Sequence, residues 1–250
     1  MFPVRRSFPL SCLSLFLVLA GGVRGQVPVP ELVRVTPLAE NVWVHTAWHE
    51  TIDWGRVVSN GLVVLDAGAV TVVDTAWGAE ASQALINWIS AELRRPVARL
   101  IVTHFHSDSM GGWEVFAATG AEIVASAHTV ELAGIADASA FTTHRLQPGQ
   151  RRAAGDLEIL FIGGGHTPDN VVVWVPGARV LFGGCAVRSV ETQSLRNTAD
   201  ASLATWAEAM AVAQRRYSEA EHVVPGHGAP GGPELLAHTR RLAEEHAGVS

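Results

Sequence analysis

The sequence lacks the features that would assign it to several large classes of protein. It has no run of lysine or arginine, and its formal net charge is -6 over 250 residues, which excludes the basic surface typical of nucleic-acid-binding proteins. No apolar run reaches the roughly 20 residues that a membrane span requires, and no segment is biased enough in composition to indicate disorder. The remaining chain, with 48% hydrophobic and 17% charged residues, suits one globular domain with a sizeable core.

The first 25 residues differ in composition from the rest of the chain. Arg5 and Arg6 precede the apolar run SCLSLFLVLAGGV, which has the length of the hydrophobic region of a signal peptide. The stretch RRSF resembles a twin-arginine export signal, and cleavage is expected near Ala20 or Gly25. We therefore expect residues 1–25 to be a signal peptide and residues 26–250 to form a single domain of a bacterial, periplasmic protein.

Cysteine is scarce, because the chain contains only Cys12 and Cys185. Cys12 lies within the apolar run instead of after it, which argues against a lipoprotein anchor, so we expect no membrane anchor in the mature chain. Removal of the signal peptide leaves Cys185 alone and excludes an internal disulfide. An unpaired thiol in an oxidising compartment is protected either by burial or by metal ligation, and the composition leaves both open.

Runs rich in β-branched residues alternate with segments of helical periodicity along the rest of the chain. Strands are predicted at LVRVTPL, NVWVHTA, VVSNGLVVLD, AVTVVD, VARLIVTH, AEIVASA, LEILFIG, VVVWVP, RVLFGG and EHVVPGH. Helices are predicted at WGAEASQALINWISAELRR, GGWEVFAATG, HTVELAGIADA, SLATWAEAMAVAQRRY and PELLAHTRRLAEEH. The interleaving indicates an α/β layered domain with the helices on the outside.

Potential metal ligands follow four of these strands. His104 ends the run VARLIVT, His166 follows LEILFIGGG, Cys185 follows RVLFGG, and His227 follows HVVPG. A glycine precedes the last three of these ligands and lets the backbone turn sharply. We expect the four strand ends to converge at one sheet edge, where α/β folds carry their functional sites.

The stretch THFHSDSMGG holds two histidines and an aspartate within five positions. On a helix His104 and His106 would diverge by about 200°, whereas in an extended or tightly turned loop they share a face. Asp108 extends the same turn. Taken alone, this segment favours a metal site but leaves open a second interpretation, a solvated loop that is rich in histidine. The ligands beyond the other three strands strengthen the metal site.

Zinc explains the types of residue in this set. Imidazole and thiolate are its favoured ligands, and a catalytic zinc site uses three protein ligands with one open position. Six ligands therefore suit two catalytic sites better than one closed structural site, and two zinc ions about 3.5–4 Å apart can act on both ends of a breaking bond. The residues predict two Zn²⁺ ions per chain.

The motifs THFHSD, GGGHT, GGC and PGHG, in this order along the chain, resemble the metallo-β-lactamase superfamily. The resemblance implies a four-layer αββα sandwich with a dizinc site at one edge of the two sheets. Glyoxalase, lactonase and nuclease relatives usually carry a histidine directly after the motif aspartate, whereas this chain has Ser109 there and Cys185 as a further ligand. It is therefore most similar to the first subclass of class B β-lactamases, and SNGLVV, DTAWGA and PGHGAPGG resemble the VIM-type carbapenemases.

The resemblance implies a role for each residue of these motifs. His104, His106 and His166 would bind one zinc ion, and Asp108, Cys185 and His227 would bind the other. A metal-bound hydroxide would attack the β-lactam carbonyl with Asp108 orienting it, and no covalent acyl-enzyme would form.

Three residues outside the ligand set match further positions of the family. Arg188 stands where many relatives have lysine and would bind the substrate carboxylate; the alternative is a surface arginine. Asn197 matches an asparagine that stabilises the oxyanion; the alternative is a turn residue before a helix. Asp74 matches a carboxylate that orients the ligands; the alternative, which does not exclude the first, is the cap of the following helix.

Two further expectations come from the resemblance. The segment HTAWHETIDWGRVVSNG resembles the mobile hairpin that covers the substrate in the family, with Trp54 at its tip; packing of Trp48 or Trp54 in the core is the alternative. Ser109 is shorter than the arginine that several relatives have beside the aspartate, which would remove hydrogen bonds around the cysteine site and weaken occupancy of the second zinc.

These features predict a monomeric periplasmic enzyme that hydrolyses the β-lactam amide bond of penicillins, cephalosporins and carbapenems, without a nucleic-acid partner. Two other interpretations are open. A thioester or lactone hydrolase of the same superfamily is disfavoured by Ser109 together with Cys185. A zinc-binding protein without catalysis is disfavoured by Arg188 and Asn197, because metal storage needs neither.

Overall fold

Two mixed β-sheets form the centre of the protein. The structure, a computed structural model, describes residues 32–52, 55–66 and 68–248. The predicted signal peptide, residues 1–25, and Trp54 lie outside the described residues.

The first sheet has seven strands in the order β1-β2-β3-β4-β5-β6-β7. They are β1 (Val33–Ala39), β2 (Val42–Thr51), β3 (Gly55–Asp66), β4 (Ala69–Val73), β5 (Val97–Ile101), β6 (Glu122–Ser126) and β7 (Phe141–His144). Strands β1 to β4 pair antiparallel, and β4 to β7 pair parallel. Because β4 and β5 are parallel, the segments that follow them leave the sheet at the same edge.

The second sheet has five strands in the order β12-β11-β10-β9-β8. They are β8 (Arg151–Ala154), β9 (Leu157–Phe161), β10 (Val171–Val175), β11 (Val180–Gly184) and β12 (His222–Pro225). Strands β8 to β11 pair antiparallel, whereas β12 runs parallel to β11. The parallel pair places the residues after β11 and β12 side by side.

Six α-helices lie along the described residues. They are α1 (Ala79–Trp88), α2 (Ser107–Met110), α3 (Trp113–Ala118), α4 (Ala127–Leu132), α5 (Leu203–Arg216) and α6 (Glu234–Gly248), and α1 continues into a π-helical turn at Ile89–Leu93. No helix within the described residues combines the length and the apolar character that crossing a membrane requires.

Three groups of buried apolar side chains hold the layers together. Side chains such as Leu62 and Phe182 fill the space between the two sheets. A second group, which includes Leu85 of α1, joins the outer face of the first sheet to its helices. A third group, with Trp206 of α5 and Leu235 of α6, covers the second sheet. The order helix, sheet, sheet, helix confirms the predicted αββα sandwich.

Strands β7 and β8, the short helix α2 and the end of helix α4 differ from the sequence prediction. Strands β7 and β8, with the sequences FTTH and RRAA, are short and mostly solvent-accessible, so they lack the apolar alternation by which a strand is recognised. Helix α4 is shorter than the predicted segment HTVELAGIADA, because the chain turns at Gly134, whose φ is 67°. A positive φ after the last turn is the usual end of a helix.

Candidate metal centre

The segments that carry the potential ligands meet at one rim shared by both sheets. His104, His106 and Asp108 follow β5 of the first sheet, whereas His166 precedes β10, and Cys185 and His227 follow β11 and β12 of the second sheet. The expectation that the ligands converge at the edge of one sheet is therefore wrong, because each sheet contributes three of them.

A single helical turn after β5 positions three of the ligands. His106 has an extended backbone, with φ −71° and ψ 156°, and stands at the N-cap of the short helix α2. The extended residue keeps His104 and His106 on one face, and the turn then brings Asp108 back toward His104, with 3.5 Å between Asp108 Oδ1 and His104 Nε2. The tightly turned geometry agrees with the prediction for this segment.

The three-histidine cluster consists of His104, His106 and His166. Their ligand nitrogens all lie within 4.8 Å of one another, and His106 Nδ1 is 3.1 Å from His166 Nε2. Nitrogens that lie this close can share a single ion, because Zn–N bonds are about 2.0–2.1 Å long.

The cysteine cluster consists of Asp108, Cys185 and His227. Cys185 Sγ lies 3.2 Å from Asp108 Oδ2 and 3.3 Å from His227 Nε2, and His227 Nε2 lies 3.1 Å from the same carboxylate oxygen. The thiol is therefore both buried and surrounded by the other two ligand types.

The two clusters adjoin each other through His104. Its Nε2 atom, together with a carboxylate oxygen of Asp108 and the sulfur of Cys185, forms a group whose ligand atoms lie within 4.8 Å. His104 is fully buried, and Nε2 has no hydrogen-bond partner among the described residues. A buried nitrogen without a partner beside a carboxylate and a thiol is costly unless a cation occupies the site, so these residues fit zinc.

A comparison with known protein families identifies the superfamily to which the chain belongs. The profile described as metallo-β-lactamase superfamily matches residues 54–227, which is more than half of the chain. The chain belongs to the metallo-β-lactamase superfamily.

Sequence alignments with named relatives cover most of this chain. The metallo-β-lactamase type 2 of Bacillus cereus is 34% identical over 217 residues, which cover 84% of this chain and 82% of that protein. The protein of the same name from Bacteroides fragilis is 28% identical over 244 residues, or 94% of each chain.

Solved structures of metallo-β-lactamases superpose closely on the chain. The metallo-β-lactamase from Pontibacter korlensis gives a TM-score of 0.78 at 38% identity and covers 85% of this chain and 99% of that chain. A Pseudomonas aeruginosa metallo-β-lactamase in its mono-zinc form gives 0.80 at 34% identity, with 86% and 96% covered. These similarities confirm the predicted superfamily, its fold and the prediction of a hydrolase.

The pKa values in this metallo-β-lactamase site are shifted by burial and by the ligands themselves. Burial raises the pKa of Asp108. The hydrogen bond with His227 and the charge interaction with His104 have the opposite effect, and together they hold that pKa well below its usual range. Burial and the Asp108 carboxylate raise the pKa of the Cys185 thiol well above its usual value. A bound cation opposes this rise, because it stabilises the thiolate.

Asp74 holds the segment that carries His104 and Asp108 through hydrogen bonds with Thr103 and Ser109. Its carboxylate accepts hydrogen bonds from the backbone N–H of Thr103 (2.8 Å), the Thr103 hydroxyl (2.7 Å) and the Ser109 hydroxyl (2.5 Å). Burial raises its pKa to about 8, although these hydrogen bonds oppose the shift. Helix α1 begins after Gly78 without a side-chain cap, so the alternative role of Asp74 as the helix cap is wrong. Ser109 is thus bound to Asp74.

Two contacts that hold ligand rings were not predicted from the sequence. His106 Nε2 lies 3.0 Å from Asp200 Oδ2, and His227 Nδ1 lies 2.5 Å from the carbonyl oxygen of Val58. Such partners fix the ring orientation of a ligating histidine. Asp200 is 94 positions from His106, so no local pattern could have revealed the pair.

Arg188 is buried, so the alternative of a surface arginine is wrong. Its guanidinium donates from Nη2 to the carbonyl oxygen of Leu195 at 2.5 Å and lies 3.4 Å from His166 Nδ1. The guanidinium carbon is 5.1 Å from the centre of the Trp206 ring, within the range of a cation–π interaction. The side chain therefore packs behind the three-histidine cluster.

An open cavity of about 720 Å³ lies over the two clusters. Asn197 lines it and is exposed, and its Oδ1 accepts a hydrogen bond from the backbone N–H of Ala199 at 3.1 Å. Asn197 is therefore a turn residue, as the alternative interpretation predicted. The same turn also places it at the wall of the cavity.

The strands β2 and β3 form the opposite wall of this cavity. Thr51 at the end of β2 and Val58 of β3 line it, and Ile52 beside the predicted tip is fully exposed. Trp77 also lines the cavity; its ring stacks on His49 of β2 with 4.8 Å between centroids. Trp77 was not singled out in the sequence, since its motif DTAWGA matched the family without indicating a role.

Proposed function

We propose that the protein is a dizinc metallo-β-lactamase that hydrolyses penicillins, cephalosporins and carbapenems and thereby confers antibiotic resistance. The observation that carries this proposal is the arrangement of Asp108, Cys185 and His227 directly beside the three-histidine cluster. The thiol ligand and Ser109 support membership of the first subclass of class B β-lactamases, with similarity to the VIM-type enzymes.

The ligand assignment that we propose follows the two clusters. His104, His106 and His166 hold one zinc ion, and Asp108, Cys185 and His227 hold the second. Zinc bound there supplies Lewis acidity and lowers the pKa of a water molecule toward about 7, which makes a nucleophile available at neutral pH.

Asp108 is proposed to orient the attacking water. Its Oδ1 faces His104, and its Oδ2 faces Cys185 and His227, so the carboxylate lies between the two clusters. Its low pKa keeps it ionised at neutral pH, and an ionised carboxylate accepts hydrogen bonds from water. Its position and charge therefore suit both ligation and orientation.

Asn197 is proposed to stabilise the oxyanion that forms when the carbonyl is attacked. Its side-chain carbonyl is held by the Ala199 N–H, and its Nδ2 amide is a donor that suits developing negative charge. Trp54 is proposed as the tip of the hairpin between β2 and β3, which the exposed Ile52 adjoins. Asp74 and Ser109 are proposed to fix the turn that carries His104 and Asp108.

The protein is further proposed to act as a monomer in the periplasm after removal of residues 1–25. The apolar run after Arg5 and Arg6 supports export. Relatives named metallo-β-lactamase type 2 come from bacteria such as Bacillus cereus and Pseudomonas aeruginosa.

A hydrolysis assay tests the activity directly. The purified protein, loaded with zinc, should hydrolyse a chromogenic cephalosporin, benzylpenicillin and a carbapenem, and should lose this activity after chelation and regain it with zinc. A thioester and a lactone serve as parallel substrates. Turnover of either of these without turnover of any β-lactam would contradict the proposal, as would tight zinc binding with no hydrolysis at all.

A further inference from the structure

Three arginines line the cavity over the metal centre, namely Arg56, Arg188 and Arg196. The chain contains no lysine, so all 18 of its Lys and Arg residues are arginines. The substrates of the proposed function carry a carboxylate next to the β-lactam ring. A guanidinium group can bind such a carboxylate through two parallel N–H donors.

Arg188 is the least available of the three. Its side chain is buried, one terminal nitrogen is bound to the Leu195 carbonyl, and the guanidinium lies over Trp206. A carboxylate that bound Arg188 bidentately would have to displace the Leu195 carbonyl from Nη2. The side chain instead supports His166, whose Nδ1 it approaches.

Arg56 is exposed, but its guanidinium already lies against an aromatic ring. Its guanidinium carbon lies 5.5 Å from the centre of the Trp48 ring, within cation–π range. Arg56 also stands directly opposite Glu50 in the antiparallel pairing of β2 and β3, and opposite charges in such pairs attract each other.

Arg196 is exposed on the other side of the cavity. Within the part of the chain that the structure describes, its guanidinium has no hydrogen-bond or ion-pair partner. Its backbone has a φ of 59°, an uncommon conformation for a residue other than glycine, and it directly precedes Asn197 on the same wall. Strained residues of this kind cluster where a side chain must be held in a particular direction.

We propose that Arg196 binds the substrate carboxylate, and that Arg188 is a positioning residue behind His166. This inference rests on the proposed function, because it assumes a β-lactam in the cavity. The geometry supports it: Arg196 is exposed at the wall of the cavity beside Asn197, whereas Arg188 is buried.

A substrate pair separates carboxylate binding from general damage to the protein. In the zinc-loaded Arg196→Ala variant, KM for benzylpenicillin should rise roughly ten- to hundredfold, the loss expected for one charged hydrogen-bonding contact, while kcat changes little. The methyl ester of benzylpenicillin lacks the carboxylate, so its kcat/KM should be the same in both proteins. Arg240→Ala, which removes an exposed arginine of α6 paired with Glu244, is the matched control.

A binding measurement makes the result independent of turnover. Calorimetry with hydrolysed benzylpenicillin should show a weaker Kd for Arg196→Ala than for the wild type, by the same factor. An unchanged KM and Kd in Arg196→Ala would overturn the assignment, as would a larger rise in KM in Arg56→Ala. Absence of both hydrolysis and binding in the wild-type protein would instead overturn the proposed function, and this inference with it.

Discussion

Cys185 shows how one residue can satisfy two requirements. An unpaired thiol needs burial or ligation in the oxidising compartment that the proposed export implies. The Cys185 side chain is buried and lies within 3.3 Å of both Asp108 and His227. Burial alone would place apolar groups around the sulfur. The carboxylate and imidazole that surround it instead raise the energy of the empty site and favour a metal ion.

The exchange Cys185→Ser tests this role. Serine has similar volume but is a poor ligand for zinc, so we expect affinity for the second zinc ion to fall by at least about tenfold and hydrolysis to fall sharply. Metal analysis after dialysis should show a stoichiometry close to one ion per chain, and far-ultraviolet circular dichroism should be unchanged. Retention of two zinc ions would show that the thiol is only buried.

At the scale of the elements, β2 and β4 are joined across β3 by one histidine. His45 of β2 pairs with Gly61 of β3, and its Nε2 lies 3.1 Å from the carbonyl oxygen of Asp74, at the end of β4. A Cβ atom on Gly61 would lie 2.1 Å from that nitrogen, so the ring occupies the space that a side chain would need. The glycine in SNGLVV thus allows a link that ends beside the ligand turn.

This link gives a prediction for the pH dependence of stability. Burial lowers the pKa of His45 from 6.5 to about 4, so between these values the unfolded state binds more protons than the folded state. Stability should therefore fall as the pH drops from about 6.5 to 4, by about 3 kcal/mol for this residue. Urea denaturation of metal-free protein should show a smaller fall in His45→Gln, which cannot be protonated in this range.

The exchange His128→Gln is the control, because His128 is exposed on α4. It should leave the fall in stability as large as in the wild type. His144 has a pKa lowered to about 4, chiefly by burial, so part of the fall will remain in His45→Gln. An identical pH profile for His45→Gln and the wild type would show that His45 accepts a proton without unfolding.

The elements that the sequence predicted well are those with strong local signals. Buried strands such as β10, whose five residues are all apolar and buried, could be recognised from composition, and the ligands could be located because each follows such a strand or precedes one. Strands β7 and β8 could not, because short edge strands have no apolar face to reveal them. The local sequence around a ligand also does not indicate which of the two sheets carries it.

At the scale of the whole molecule, the contacts that were missed join residues far apart in sequence. Asp200 reaches His106 across 94 positions, and Asn60 of β3 donates from Nδ2 to the carbonyl oxygens of Pro225 and Gly228 on either side of His227. The position of Arg188 shows the same limit: its place after Cys185 suggested a role but gave no direction for its side chain. Such pairings depend on how the two sheets face each other, which a single sequence does not specify.

Each ligand cluster takes residues from both sheets, so bound zinc should act as a link between the two halves of the sandwich. The three-histidine cluster joins the segment after β5 to the segment before β10, and the cysteine cluster joins it to the ends of β11 and β12. The described residues hold one cysteine and no disulfide. Bound metal would therefore supply a cross-link at this rim, where the described residues form no disulfide.

Removal of the metal should consequently destabilise the protein as a whole. Zinc at about 100 times its Kd should add about 2.7 kcal/mol per independent site to the free energy of unfolding, and a chelator should remove this gain and lower Tm. Cys185→Ser should retain only the part that belongs to the three-histidine site, whereas a reducing agent should leave Tm of the zinc-loaded wild type unchanged. Equal Tm values with zinc and with chelator would show that zinc binds the folded chain no more tightly than the unfolded chain, which would contradict a zinc site at this rim.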